Sequence, residues 1–90
     1  MNPGEAYIRR ANQYAASGDA AACERTLTEG LTWARRSQAL HWVATFLYQR
    51  LSMRLVHGGD ATLDEVREVA AAYREAGDPS GLMEALLDLA

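Results

Sequence analysis

Three Gly-Asp steps, at residues 18–19, 59–60 and 77–78, interrupt a chain of 90 residues with only two prolines, at positions 3 and 79. A glycine can take the left-handed backbone that ends a helix, and an aspartate just after it can cap the next one. Each step therefore reads as a stop followed by a start. A fourth break falls at Arg36-Ser37-Gln38. No stretch between the breaks alternates strictly between polar and apolar residues, as a half-buried strand would. The breaks leave five segments of helical length, so one all-α domain is expected over residues 1–90, as a five-helix array of antiparallel hairpins.

Apolar residues recur at helical spacing within each segment. The first, residues 3–17, carries Tyr7, Ala11 and Tyr14. The second carries Cys23, Leu27, Gly30, Leu31 and Ala34, with Arg35 and Arg36 where positive charge suits a helix C-terminus. The third, residues 38–57, is apolar on two sides. Leu40, Val43, Ala44, Leu47, Leu51 and Leu55 form one face, and Trp42, Phe46 and Met53 the other, so it is expected at the centre, between neighbours. Trp33 and Trp42 are expected to fill the seam between the second and third helices. The fourth opens with Thr62-Leu63-Asp64-Glu65, a capping box. The fifth opens with Asp78-Pro79, an N-cap followed by proline at the first helical position. Beyond it, only Glu84 and Asp88 interrupt Leu82, Met83, Ala85, Leu86, Leu87, Leu89 and Ala90.

The order of residues in the first hairpin, Tyr7, Ala11, Tyr14, Gly18-Asp19, Cys23, Leu27 and Gly30-Leu31, resembles the tetratricopeptide-repeat pattern. Ala70, Tyr73, Gly77-Asp78, Leu82 and Leu86 repeat part of it. Small residues at Ala11, Cys23 and Gly30 let antiparallel helices approach closely, while Tyr7, Tyr14 and Leu27 fill the space between them. The resemblance implies a right-handed superhelix of hairpins and a concave groove for a peptide, lined by the first helix of each hairpin. On the first hairpin the groove positions would be Glu5, Ile8, Arg9, Asn12 and Ala16. Asn12 could hold a peptide backbone, since its amide both donates and accepts, and Arg9 could pair with a carboxylate. His41, Thr45, Tyr48 and Ser52 share one face of the third segment and could form a polar wall of the same groove.

Composition narrows the function. An apolar fraction of 49% is too high for disorder, and the net charge is −3. Residues 1–57 hold seven arginines against four acids, whereas residues 58–90 hold two against eight, a polarity that could orient partners or copies. All nine basic residues are arginines, which with seventeen alanines suits a GC-rich bacterial source. The single cysteine, Cys23, offers no intrachain disulfide, so a reducing cytoplasm is the expected setting. Residues 39–56 are interrupted by His41, Gln49, Arg50 and Arg54 and are expected to be buried in protein, not in a membrane.

No Ser-His-Asp order, glycine-rich phosphate loop or His-x-x-x-His pair points to an enzyme, and Cys23, His41 and His57 are too scattered for a metal site. No cofactor is expected. Trp33-Ala34-Arg35-Arg36 combines aromatic and basic groups, but the acidic chain disfavours nucleic acid. The expected function is protein–protein interaction, as an adaptor. A terminal helix apolar nearly all round is expected to dock on another protein or to form a homodimer through Met83, Leu86, Leu87 and Leu89. The alternatives are a regulatory domain holding a small ligand between the third and fourth helices, near Trp42, Phe46 and Tyr73, and a nucleic-acid-associated accessory subunit.

Overall fold

Three of the four described helices begin where a side chain satisfies a free backbone amide. A computed structural model describes residues 2–78 and 81, and among these are four α-helices and no strand. Helix α1 (Pro3–Ala16) starts at Asn2, whose Oδ1 accepts from the Gly4 N–H at 2.8 Å, with Pro3 in the first turn. Gly18 then takes φ +81° and reverses the chain. Asp19 caps α2 (Ala20–Arg36) by accepting from the Ala22 N–H at 3.1 Å.

Gln38 is left-handed at φ +54°, and this delays α3 (Leu40–Val56) to two residues beyond the expected start. No side chain caps it. Helix α4 (Leu63–Glu75) carries the expected capping box: Thr62 accepts from the Glu65 N–H, and Glu65 accepts from the Thr62 N–H, both at 3.2 Å. Asp78 accepts from the Gly81 N–H at 2.8 Å, the bond expected of a cap for the fifth segment. That segment itself, with Met83, Leu86, Leu87 and Leu89, lies outside the described residues.

Short turns make successive helices antiparallel neighbours. Helix α3 packs on both α2 and α4. The molecule measures 33 × 31 × 18 Å, and its thin dimension is about two helix diameters. The helices join in chain order, and rings of α3 also reach α1 at Gly4 and Tyr7. The core runs along the join, through Ala11, Cys23, Leu27, Ala44, Phe46, Leu51 and Val69. Leu27 and Phe46 are fully buried, and each side chain contributes about 1.5–3 kcal/mol through removal from water.

Two helix glycines accept aromatic rings from α3. A Cβ on Gly30 of α2 would lie 2.6 Å from the Phe46 ring, and one on Gly4 of α1 would lie 2.4 Å from the Trp42 indole. Trp42 therefore sits across α1, not in the seam between α2 and α3 where the sequence had suggested it. Trp33 likewise turns toward α1, with its ring 6.2 Å from that of Tyr7. Tyr7 meets Phe46 edge-on at 6.1 Å, and Phe46 lies 5.8 Å from Trp42. These four rings form a chain through the α1–α2–α3 junction, each spacing being within the range of favourable aromatic pairs. Leu40 and Leu55, assigned to the broad apolar face of α3, remain 45% and 36% exposed because they occupy its two ends.

Arg54 ties α3 to both α2 and α4 near the α3–α4 turn. Its guanidinium pairs with Glu65 of α4 and with Glu24 of α2, the latter at 3.8 Å.

Candidate functional site: the α1–α3 groove

A helix shows one face to its hairpin partner and leaves the opposite one open. For α1 the covered face is Tyr7 and Ala11, toward α2 and Phe46. The positions between them turn toward α3. There the two helices bound a groove of about 550 Å³, lined by Glu5, Ile8, Arg9, Asn12, Gln13 and Ala16 of α1 and by Trp42 and Thr45 of α3. Gly4 makes the geometry, since its bare backbone lets Trp42 lie down as the groove's end wall.

The lining is apolar below and polar at the rim. Ile8 and Trp42 are half-buried, while Glu5, Arg9, Asn12 and Gln13 are exposed. Among the described residues Arg9 joins no ion pair. Its neighbour Arg10 points elsewhere, its guanidinium carbon 5.3 Å from the centre of the Tyr7 ring. Thr45 donates its hydroxyl to the His41 carbonyl at 3.0 Å, which leaves only an acceptor for a ligand. The polar inventory is thus one carboxylate, one guanidinium, two amides and one hydroxyl oxygen around an apolar floor. That set can hold apolar side chains and fix their orientation by hydrogen bonds.

Of the residues singled out from sequence, Ile8, Arg9, Asn12 and Thr45 line this groove together, with Glu5 and Ala16. His41, Tyr48 and Ser52 do not line it. His41 is exposed at the start of α3, its Nδ1 3.7 Å from Asp78 Oδ2. Tyr48 and Ser52 are half-buried further along the helix. Trp42 and Gln13 line the groove and were missed as groove residues. The local signal for Trp42 was a glycine in the first turn of α1, which has meaning only once α3 is known to lie beside it. Helical spacing alone carried the Gln13 signal, since it stands one turn beyond Arg9.

The small-ligand alternative had centred on Trp42, Phe46 and Tyr73 between α3 and α4. Trp42 instead faces α1, and Phe46 is fully buried. A separate cavity of about 330 Å³ does border α3 and α4, but its lining is Leu40, Val43, Leu47, Glu68, Ala71, Ala72 and Glu75, with Arg35 and Gln38.

Outside the groove, the Cys23 thiol and the Glu65 carboxyl are displaced from their ordinary values. Burial pushes the Cys23 thiol up, and Glu24 adds to the effect. The Thr62 N–H holds the Glu65 carboxyl down against partial desolvation, with help from Arg54. Among the described residues no three His, Cys, Asp or Glu side chains group as metal ligands, and no helix is long and apolar enough to cross a membrane. No protein-family model matches the chain, and neither a curated protein nor a solved structure matches it.

Proposed function

We propose that this chain is a non-enzymatic protein-interaction module, a tetratricopeptide-like adaptor whose α1–α3 groove receives an apolar segment of a partner protein. The observation that carries the reading is the groove, with its apolar Ile8, Ala16 and Trp42 and a rim on which, among the described residues, Arg9 joins no ion pair. The tetratricopeptide-like superhelix is supported by the small residues of the pattern standing where helices cross. Ala11 is 2% and Cys23 1% exposed, and Gly30 touches the Phe46 ring. Of residues 79–90 only Gly81 is described; their sequence is expected to add a fifth helix, and the apolar Met83, Leu86, Leu87 and Leu89 would then give a second docking surface, for a homodimer or a larger protein. A cytoplasmic setting suits the buried, unpaired Cys23. No cofactor, membrane or nucleic acid enters this reading.

The test uses Trp42 as the reporter, with Trp33→Phe to isolate its emission. Leucine-rich peptides carrying one or two acids are expected to shift that emission. Ile8→Glu, which sets a carboxylate on the apolar floor, is expected to abolish the shift while far-UV circular dichroism stays helical. Emission indifferent to every peptide in the array sinks the reading.

A second reading has its own support. A volume of about 550 Å³ falls inside the range of roughly 300–1,000 Å³ typical of small-molecule pockets, so an apolar metabolite is the competing occupant. The same reporter titrated with a metabolite panel separates the two.

A further inference from the structure

We propose that the cleft between α3 and α4 binds a small organic monocation, an ammonium group carried on a short apolar chain. The cleft holds about 330 Å³, close to the lower bound of ligand pockets, and so suits a compact molecule better than a segment of a partner protein. It shares no lining residue with the α1–α3 groove.

The floor of the cleft is apolar. Val43 and Leu47 stand one turn apart on α3, the first half-buried and the second buried, with Ala71 and Ala72 on the α4 side. Two alanines in that place leave space that longer side chains would fill. Leu40 continues the floor outward and remains exposed, so a bound alkyl chain would remove it from water.

The lining carries two carboxylates, Glu68 and Glu75, against one guanidinium, Arg35, a balance of −1. Among the described residues none of these three joins an ion pair. Two other arginines near α4 are engaged elsewhere, Arg67 with Asp64 at 4.0 Å and Arg54 with Glu65 and Glu24.

The charges are also unevenly placed. Helices α3 and α4 run antiparallel, since His41 meets Asp78 at one end and Arg54 meets Glu65 at the other. Arg35 therefore stands at the end marked by Leu40 and Glu75, where it offsets the carboxylate. Glu68 stands at the Leu47 end, with no basic residue beside it in the lining. An ammonium group at Glu68, with its chain running over Val43 toward Leu40, gives the carboxylate a partner and covers the floor. An anion of the same shape meets a carboxylate there, and a neutral molecule gains burial alone.

Amide correlation spectra of the full chain test this, with hexylamine, hexanol and hexanoate as probes of equal chain length at neutral pH and low ionic strength. Hexylamine is expected to shift the amides of Leu47, Ala71 and Ala72 saturably and to bind about two- to fivefold more tightly than hexanol, with hexanoate weaker still. Glu68→Gln should erase the preference for the amine while the alcohol binds as before. Glu75→Gln should reduce that preference less. Ala71→Leu, an exposed change to another good helix former, should fill the cleft and abolish binding of both. Hexanol that binds as tightly as hexylamine overturns the proposal, as does a preference that survives Glu68→Gln or falls further in Glu75→Gln. Saturable shifts confined to α1 and Trp42, or none at all, overturn it as well.

Discussion

Replacing Gly30 by alanine sets two effects of opposite sign against each other. In the middle of a helix, alanine is favoured over glycine by about 1 kcal/mol, so propensity alone predicts a stabilised protein. The structure predicts the reverse. The added methyl would stand 2.6 Å from two atoms of the Phe46 ring, well inside contact distance. Phe46 cannot step aside, being fully buried with the Tyr7 ring at 6.1 Å and the Trp42 ring at 5.8 Å. Overpacking of this kind costs about 1–3 kcal/mol, and a close-packed α2–α3 contact places it toward the upper end. The net expectation is a loss of about 1–2 kcal/mol, which in a domain of this size lowers Tm by roughly 5–15 °C. Thermal and urea unfolding followed by circular dichroism would measure it. The double-mutant cycle is the sharper assay. With Phe46 already reduced to leucine, the same Gly30→Ala change should become neutral or stabilising by up to about 1 kcal/mol, because the obstructing ring edge is gone. A Tm that rises in the native background, or a coupling near zero, refutes the close α2–α3 approach.

Gln38→Gly should raise Tm by about 2–4 °C, since it relieves a left-handed residue at φ +54° at a modest cost in unfolded-chain entropy. Glu65 is held below the ordinary carboxyl value first by the Thr62 N–H and then by Arg54. Its contribution is whole above the unfolded value of about 4.3 and fades as pH falls through the lower folded one, so Glu65→Gln should flatten the acid limb of a Tm-versus-pH curve. Cys23 is 1% exposed and its thiol is pushed up by burial, so a thiol-exchange reagent at neutral pH should label it only as fast as the domain opens. Labelling at the rate of a free thiol would contradict its burial. Because the fold favours the neutral thiol, the stability tied to it is intact below the ordinary thiol value and fades as pH climbs toward the folded one.

The helix boundaries were the legible part of this sequence because their causes are local. A glycine that must turn left-handed, an aspartate beside it and a threonine three residues before a glutamate act within one turn of chain, and Gly18, Asp19 and the Thr62–Glu65 box do as their residue types dictate. The groove was half legible. Ile8, Arg9 and Asn12 fall on one stripe of α1 by spacing alone, whereas Trp42 belongs to the site through a pairing across 38 residues. That pairing is recorded only as an empty place at Gly4. Periodicity says that α3 has two apolar faces and does not say which helix each one meets. The error over Trp33 and Trp42 came from assigning both to the nearest neighbour in sequence. His41 left the groove for a related reason, since its partner Asp78 arrives from the far end of α4.

In a chain whose rods each lean chiefly on the one before, unravelling can begin at either end and run inward while the rest stands. The guanidinium of Arg54 works against that freedom by gripping carboxylates on the second and fourth rods at once. Peeling away α4 strips Arg54 of one counter-charge, and loosening α2 strips it of the other. Backbone amides in those two helices should therefore exchange with solvent in step at low salt. Their protection should drift apart as added salt screens the clasp.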